Sequence, residues 1–281
     1  MQIIHTISQL RQYVQTAKQQ GQTVGFVPTM GFLHEGHLHL VDTAKANNDV
    51  VVVSIFVNPL QFGPTEDFDA YPRDLNRDAS LLRSHACDVL FAPSVEEMYP
   101  ERILTTVEVE GLGQVLCGVS RPTHFKGVTT VVSKLLNIVQ PTRAYFGQKD
   151  GQQLFIIQRM VRDLNIPVEI IGVPTVRETD GLAKSSRNIY LNQDERKHAT
   201  ILYRTLKWAE DKIQTGERNA HKLIQVMREK IESEPGVKLD YVGIVNTQSL
   251  QPVQKIEGHI MIAVAAYVGK ARLIDNIQLT V

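Results

Sequence analysis

Apolar positions recur along this chain in two rhythms. Ile7, Leu10, Val14 and Ala17 fall at helical spacing, and Gly21 follows where a helix would stop. "TVGFV" then reads as a buried strand, and Leu38, Val41 and Lys45 resume a helix. "NDVVVVSIFV" is apolar without alternation, the pattern of a strand covered on both faces. Leu75, Ala79 and Leu82 mark a helix, "DVLFAP" a strand, and Val128, Val131, Leu135 and Val139 a helix that Pro141 ends. "RAYFG" is a strand, 154–164 a helix and "PVEIIGV" a strand.

Apolar strands alternating with helices imply an α/β fold, a doubly wound (Rossmann-like) parallel sheet. The pattern changes after Asn188. Two helical runs, about 193–214 and 219–233, precede "LDYVGIV", "IMIAVAAYV" and "ARLIDNIQL", strands without long helices between them. This predicts a first domain over 1–175 and a smaller α+β domain over 176–281. No flexible linker separates them, so the boundary is soft. Sheets of the first kind bind ligands beyond the carboxyl ends of their strands. The segments that follow strands, 28–37, 58–72, 147–153 and 173–188, are all rich in polar side chains.

Composition narrows the classes. Among 281 residues, Lys plus Arg equals Asp plus Glu, which gives no support to a general nucleic-acid or membrane-surface role. The longest apolar run, 50–57, is far short of a membrane span, and "MQIIHTISQLRQYV" is not built as a signal peptide. Cys87 and Cys117 make neither a metal spacing nor a disulfide framework, so a reducing cytoplasm is the default.

The candidate chemistry centres on "PTMGFLHEGH". Gly31 permits a sharp turn and Gly36 a close approach to the backbone, while His34 and His37 share one face of the first helical turns. A helix N-terminus favours phosphate, and two imidazoles there make a donor-rich pocket for polyphosphate. Taken alone, a His pair at this spacing is usually surface or core packing, and "HEGH" lacks the spacing of a zinc helix. Downstream, the amides of Asn58 and Gln61 suit a small hydroxylated acid. Lys149 offers a localised charge for phosphate, and Gly147 and Gly151 allow close backbone approach. Lys184, Ser185, Ser186 and Arg187 are all donors to phosphate oxygens. Asp150 and the serines serve equally well as helix caps.

These stretches, in order, carry a resemblance. "PTMGFLHEGH" looks like the signature of the HIGH-type nucleotidyltransferases. With "NPLQFGPTEDFDAYPR", "RPTHFKGV", "FGQKDGQQ" and "GLAKSSRNIYL", the whole chain resembles the pantoate–β-alanine ligase family. The resemblance implies an AMP-forming ligase that joins (R)-pantoate to β-alanine through a pantoyl adenylate, with ATP as co-substrate and Mg2+ as cofactor. It implies a homodimer, with no nucleic-acid or membrane partner. It assigns Met30, Gly31, Phe32, Leu33, His34, Glu35, Gly36 and His37 to ATP. Gly147, Gln148, Lys149 and Asp150 join them, as do Val176 against adenine and Lys184, Ser185, Ser186 and Arg187. Gln61 and Gln153 go to pantoate, with Gln61 also where β-alanine arrives, and Asp78 to magnesium, although Arg77 stands where relatives often carry a second acid. His34, His37, Lys149 and Ser185 are the expected catalytic donors. Arg121 and His124 receive no firm role, and the C-terminal strands read as core or subunit contact. The alternative is another HIGH-type nucleotidyltransferase acting on a different small acid.

Overall fold

Six strands, Gln2–Ile4 (β1), Val24–Thr29 (β2), Val50–Ile55 (β3), Val89–Phe91 (β4), Arg143–Gly147 (β5) and Glu169–Val173 (β6), form one parallel sheet in the order β1-β4-β3-β2-β5-β6. Helices Ile7–Gln19, Glu35–Asn47, Leu75–Ser84 and His124–Val139 alternate with these strands. In this computed structural model, which describes every residue except Thr65 and Asp67, the chain divides into two compact units. The first comprises Met1–Val109, Thr123–Gly147 and Ile156–Pro174; the second comprises Glu110–Pro122, Gln148–Phe155 and Thr175–Val281.

The doubly wound sheet expected from the alternation is the core of the first unit. The apolar runs without period-two alternation are buried on both faces: Val50 to Val53 are at most 5% exposed. From β2 the chain moves outward through β3 and β4, then returns to place β5 on the other side of β2. That reversal makes the gap between the carboxyl ends of β2 and β5 the topological switch point, where sheets of this kind bind ligands. Phe26 pairs with Ala144, and the strands end three residues later, at Thr29 and Gly147.

The second unit carries an antiparallel sheet of Val237–Asn246 (β7), His259–Val268 (β8) and Ala271–Thr280 (β9). Helices Ile201–Gln214 and Ala220–Glu232 cover it, burying Leu206, Met227, Ile262 and Val264 completely. Each such side chain contributes roughly 1.5–3 kcal/mol through its burial.

Several boundaries differ from the sequence reading. β1 was not foreseen, because three residues of an edge strand show no period. The run 193–214 is two helices, Gln193–Ala199 and Ile201–Gln214, joined at Thr200. The helix read from Val128 begins at His124, and the helix read from Leu154 begins at Gly151. No helix among the described residues is long and apolar enough to cross a membrane.

Both cysteines are buried, and desolvation pushes the Cys87 thiol up to about 12. Because the thiolate is the nucleophile, Cys87 should be inert at neutral pH. Titration with a disulfide reagent should therefore find no fast-reacting thiol in the native protein and two after unfolding in guanidinium.

Candidate active site

The turn after β2 is built from two consecutive left-handed residues. Gly31 has φ +84°, and a Cβ there would lie 2.8 Å from Ile55 Cγ2 and 3.2 Å from an Asp78 oxygen. Phe32 follows at φ 47°, a conformation costing on the order of 1–2 kcal/mol for a residue with a side chain. Such a turn leaves its amides outside any ladder, and Asp78 collects them. Its Oδ2 accepts from Phe32 N–H at 2.7 Å and its Oδ1 from Leu33 N–H at 2.8 Å. Arg77 completes the clamp. It donates to Asp78 at 3.3 Å and to Leu33 O at 3.0 Å, and its guanidinium lies 4.9 Å from the Phe32 ring centre. Burial raises the Asp78 pKa, while the two amides and Arg77 pull it back down.

This turn delivers the histidines. His34 is the extended N-cap of helix Glu35–Asn47 (φ −136°, ψ 175°), not a member of its first turn as the spacing had suggested. Its Nδ1 accepts from Gly36 N–H at 3.1 Å, and His37 Nδ1 accepts from His34 N–H at 3.4 Å. The two rings are 4.0 Å apart. The pairing has a chemical consequence. With each Nδ1 accepting a peptide hydrogen, the proton of each neutral imidazole sits on Nε2. Both rings then carry Nε2–H donors, at the end of a helix that already favours anions.

The loop after β3 is tied to the same turn. Asn58, 1% exposed, donates to Gly127 O at 3.2 Å and Gln61 Oε1 at 3.3 Å, and accepts from the Tyr99 hydroxyl at 2.9 Å. Gln61 in turn points its amide nitrogen at Met30 Sδ, 2.9 Å away. His124, left without a role by sequence, has Nδ1 3.0 Å from Gln61 O. A Cβ on Gly127 would sit 2.2 Å from Leu60 O, so helix His124–Val139 lies directly against this loop. The first unit thus brings together Met30, His34, His37, Gln61 and Asp78, with Asn58 and His124 as supports. Thr65 and Asp67 of the same loop lie outside the described residues.

In the second unit, Gln148–Asp150 is a short 3-10 turn that runs into helix Gly151–Asp163. Lys149 lies 3.5 Å from Asp150. Lys149 therefore precedes the α-helix that carries Gln153. Gln153 is half-buried. Its neighbour Gln152, which sequence reasoning passed over, is a structural pin. It donates to Leu112 O and Val115 O at 2.9 and 2.8 Å and accepts from Cys117 N–H at 3.1 Å. Gly151 is packed against Met261, 2.7 Å from where its Cβ would stand, so the protein itself takes the close approach expected for a ligand. Val176 O accepts from Lys184 N–H at 3.0 Å, and Arg177 bridges Ala183, closing a small hairpin. Lys184 meets Glu178 at 2.9 Å. The Ser185 hydroxyl caps the 3-10 helix Ser186–Tyr190 by accepting from Arg187 N–H at 3.3 Å.

Asp78, which the resemblance linked to magnesium, is held by the protein's own donors. Both carboxylate oxygens face peptide N–H groups, a guanidinium stands beside them, and the side chain is 1% exposed. Among the described residues no group of three His, Cys, Asp or Glu side chains could hold a metal ion.

A doubly wound sheet with donor-rich loops at its switch point defines the ligand-binding class of open α/β proteins. A family model described as pantoate-beta-alanine ligase matches residues 2–278. The chain belongs to this family. It is 56% identical over 281 residues to a pantothenate synthetase of Moorella thermoacetica, covering 100% of this chain and 99% of the relative. It is 57% identical to one from Carboxydothermus hydrogenoformans, with both chains covered fully. A crystal structure of pantothenate synthetase from Thermus thermophilus superposes with a TM-score of 0.94 at 48% identity, covering 100% of both chains. A pantoate-beta-alanine ligase from Francisella tularensis, solved with beta-gamma ATP and beta-alanine, gives 0.80 at 39% identity, covering 99% of this chain and 97% of that one.

The Asp78 clamp can be tested for stability. Asp78→Ala leaves two amides and Arg77 without their acceptor, and should cost about 3 kcal/mol in urea-induced unfolding. A loss below about 1 kcal/mol would mean that the turn holds itself.

Proposed function

We propose that this enzyme condenses (R)-pantoate with β-alanine, converting ATP to AMP and pyrophosphate through a pantoyl adenylate. The observation that carries the reading is the family match from residue 2 to residue 278, joined to a turn whose two imidazoles carry Nε2–H donors. A carboxylate cannot be joined directly to an amine, because its oxygen is a poor leaving group. Attack of the pantoate carboxylate on the α-phosphorus of ATP expels pyrophosphate and makes the carboxyl carbon reactive. The β-alanine amine then displaces AMP, with amide formation and loss of a proton. Neither step needs a protein nucleophile; the first needs alignment and neutralisation of growing negative charge.

The residues divide that work. Backbone and side chains of Met30, Gly31, Phe32, Leu33, His34, Glu35, Gly36 and His37 form one wall for ATP, with His37 donating to the leaving pyrophosphate and His34 beside it. Lys149 stabilises the α-phosphate region, supported by Gly147, Gln148 and Asp150. Val176 packs on adenine. Lys184, Ser185, Ser186 and Arg187 engage the β- and γ-phosphates as the region from about 176 acts as a lid domain, excluding water from the adenylate. Gln61 and Gln153 orient pantoate. Magnesium enters as the ATP complex, a substrate rather than a resident ion, in keeping with its preference for phosphate ligands. The assembly that accompanies this reading is a homodimer working in the cytoplasm.

Mass spectrometry of a reaction containing ATP, pantoate and β-alanine, each omitted in turn, tests the function. Pantoyl adenylate should accumulate without β-alanine, and pantothenate should form only with all three. His37→Ala should slow single-turnover pyrophosphate release about a hundredfold. Its melting temperature should drop by no more than the loss of a helix cap allows, about 1 kcal/mol in stability. Normal pyrophosphate release by the variant would remove His37 from the role.

A further inference from the structure

Strand β9 interrupts its apolar pattern with two adjacent polar residues, Asp275 and Asn276, 4% and 7% exposed. Polar groups buried this deeply require partners, and theirs belong to the ATP-binding segments. Asn276 Nδ2 donates to Gln148 O at 2.9 Å and to Lys149 O at 2.8 Å. Two carbonyl oxygens on one side fix the orientation of the amide, since only its NH2 can donate to both. Asp275 receives Arg177 bidentately at 2.6 and 2.9 Å and the Asn276 N–H at 2.8 Å. Arg177 donates onward to Gly181 O at 3.1 Å and stacks 4.1 Å over the Tyr203 ring. It opens the hairpin whose return strand leads into Lys184 and Ser185.

We propose that Asn276 and Asp275 are positioning residues for ATP. Asn276 sets the Gln148–Lys149 backbone and so aims Lys149. Asp275, through Arg177, sets the hairpin that presents Lys184 and Ser185. The inference rests on the ligase reading above. Its physical basis is that a lysine head on a four-carbon stem can be preorganised only if its own backbone is fixed. Two hydrogen bonds to adjacent carbonyls do this without engaging the lysine's own side-chain donors.

The test is a double-mutant cycle on the full-length enzyme, read by single-turnover pyrophosphate release with ATP and pantoate. Asn276→Ala should lower kcat/KM for ATP by tenfold or more, on the order expected when two buried hydrogen bonds are lost. The KM for pantoate should stay within about twofold, a split that general loosening of the fold would not produce. In a Lys149→Ala background the same change should cost less than about threefold, because its effect passes through that lysine. Asn276→Leu, close in shape but lacking the donors, should reproduce the loss without leaving a cavity. Equal costs in both backgrounds, or losses of both variants that follow the folded fraction measured by circular dichroism, would overturn the inference. An inactive wild-type enzyme would instead overturn the ligase reading.

Discussion

The first unit depends on one carboxylate. A turn with left-handed backbone at both Gly31 and Phe32 cannot satisfy its own amides, and an unpaired buried amide costs about 1–3 kcal/mol. Asp78 accepts two of them from a neighbouring helix, and that bond pair fixes where the chain enters helix Glu35–Asn47. The arrangement carries its own opposing cost. Desolvation of Asp78 favours the protonated acid, and a protonated acid could not accept from both amides as strongly. Arg77 offsets this from the rim, half in solvent, so its cation stabilises Asp78 without itself being buried. The residue that the family resemblance linked to a metal is therefore the anchor of the turn that leads into both histidines.

Everything chemical about the histidines follows from that anchor. His34 can act as an N-cap only because the turn holds it extended, and His37 can close the reciprocal bond only because His34 is the cap. The tautomers are thus set by the backbone. Two rings that could have served as base and acid become two donors of the same kind. That outcome suits a displacement at phosphorus, where charge must be neutralised and no protein group needs to gain a proton.

The alternation of strands and helices was legible because buried parallel strands read as continuous apolar runs, and the C-terminal hairpins because long strands leave a composition signal. β1 was not legible, being three residues long. Nor could sequence divide Gln152 from Gln153: the residue types are the same, yet the first is a pin in three backbone hydrogen bonds and the second is half-buried. The same limit explains Asp78 and Asn276. Their significance lies in which backbone atoms they meet across 45 and 127 residues of chain, and no local pattern encodes that. One signal was available. Adjacent Asp and Asn inside "ARLIDNIQL" break an apolar strand, and buried polar residues in such a strand need partners.

The two units solve their positioning problems with opposite electrostatics, and the difference bears on when each set of donors becomes available. In the first, the imidazole Nδ1 atoms are consumed by backbone, which fixes the proton of each ring on Nε2 before any substrate arrives. In the second, Lys184 is paired with Glu178 at 2.9 Å, and the Ser185 hydroxyl is occupied with Arg187 N–H. A phosphate that engages Lys184 must compete with a carboxylate already in place. A partly exposed pair of this kind is worth about 1 kcal/mol or less, so on the proposed reading a triphosphate, which offers several charges at once, would displace it. The imidazole turn thus holds its donors in a fixed setting, whereas Lys184 and Ser185 are engaged with partners of their own segment.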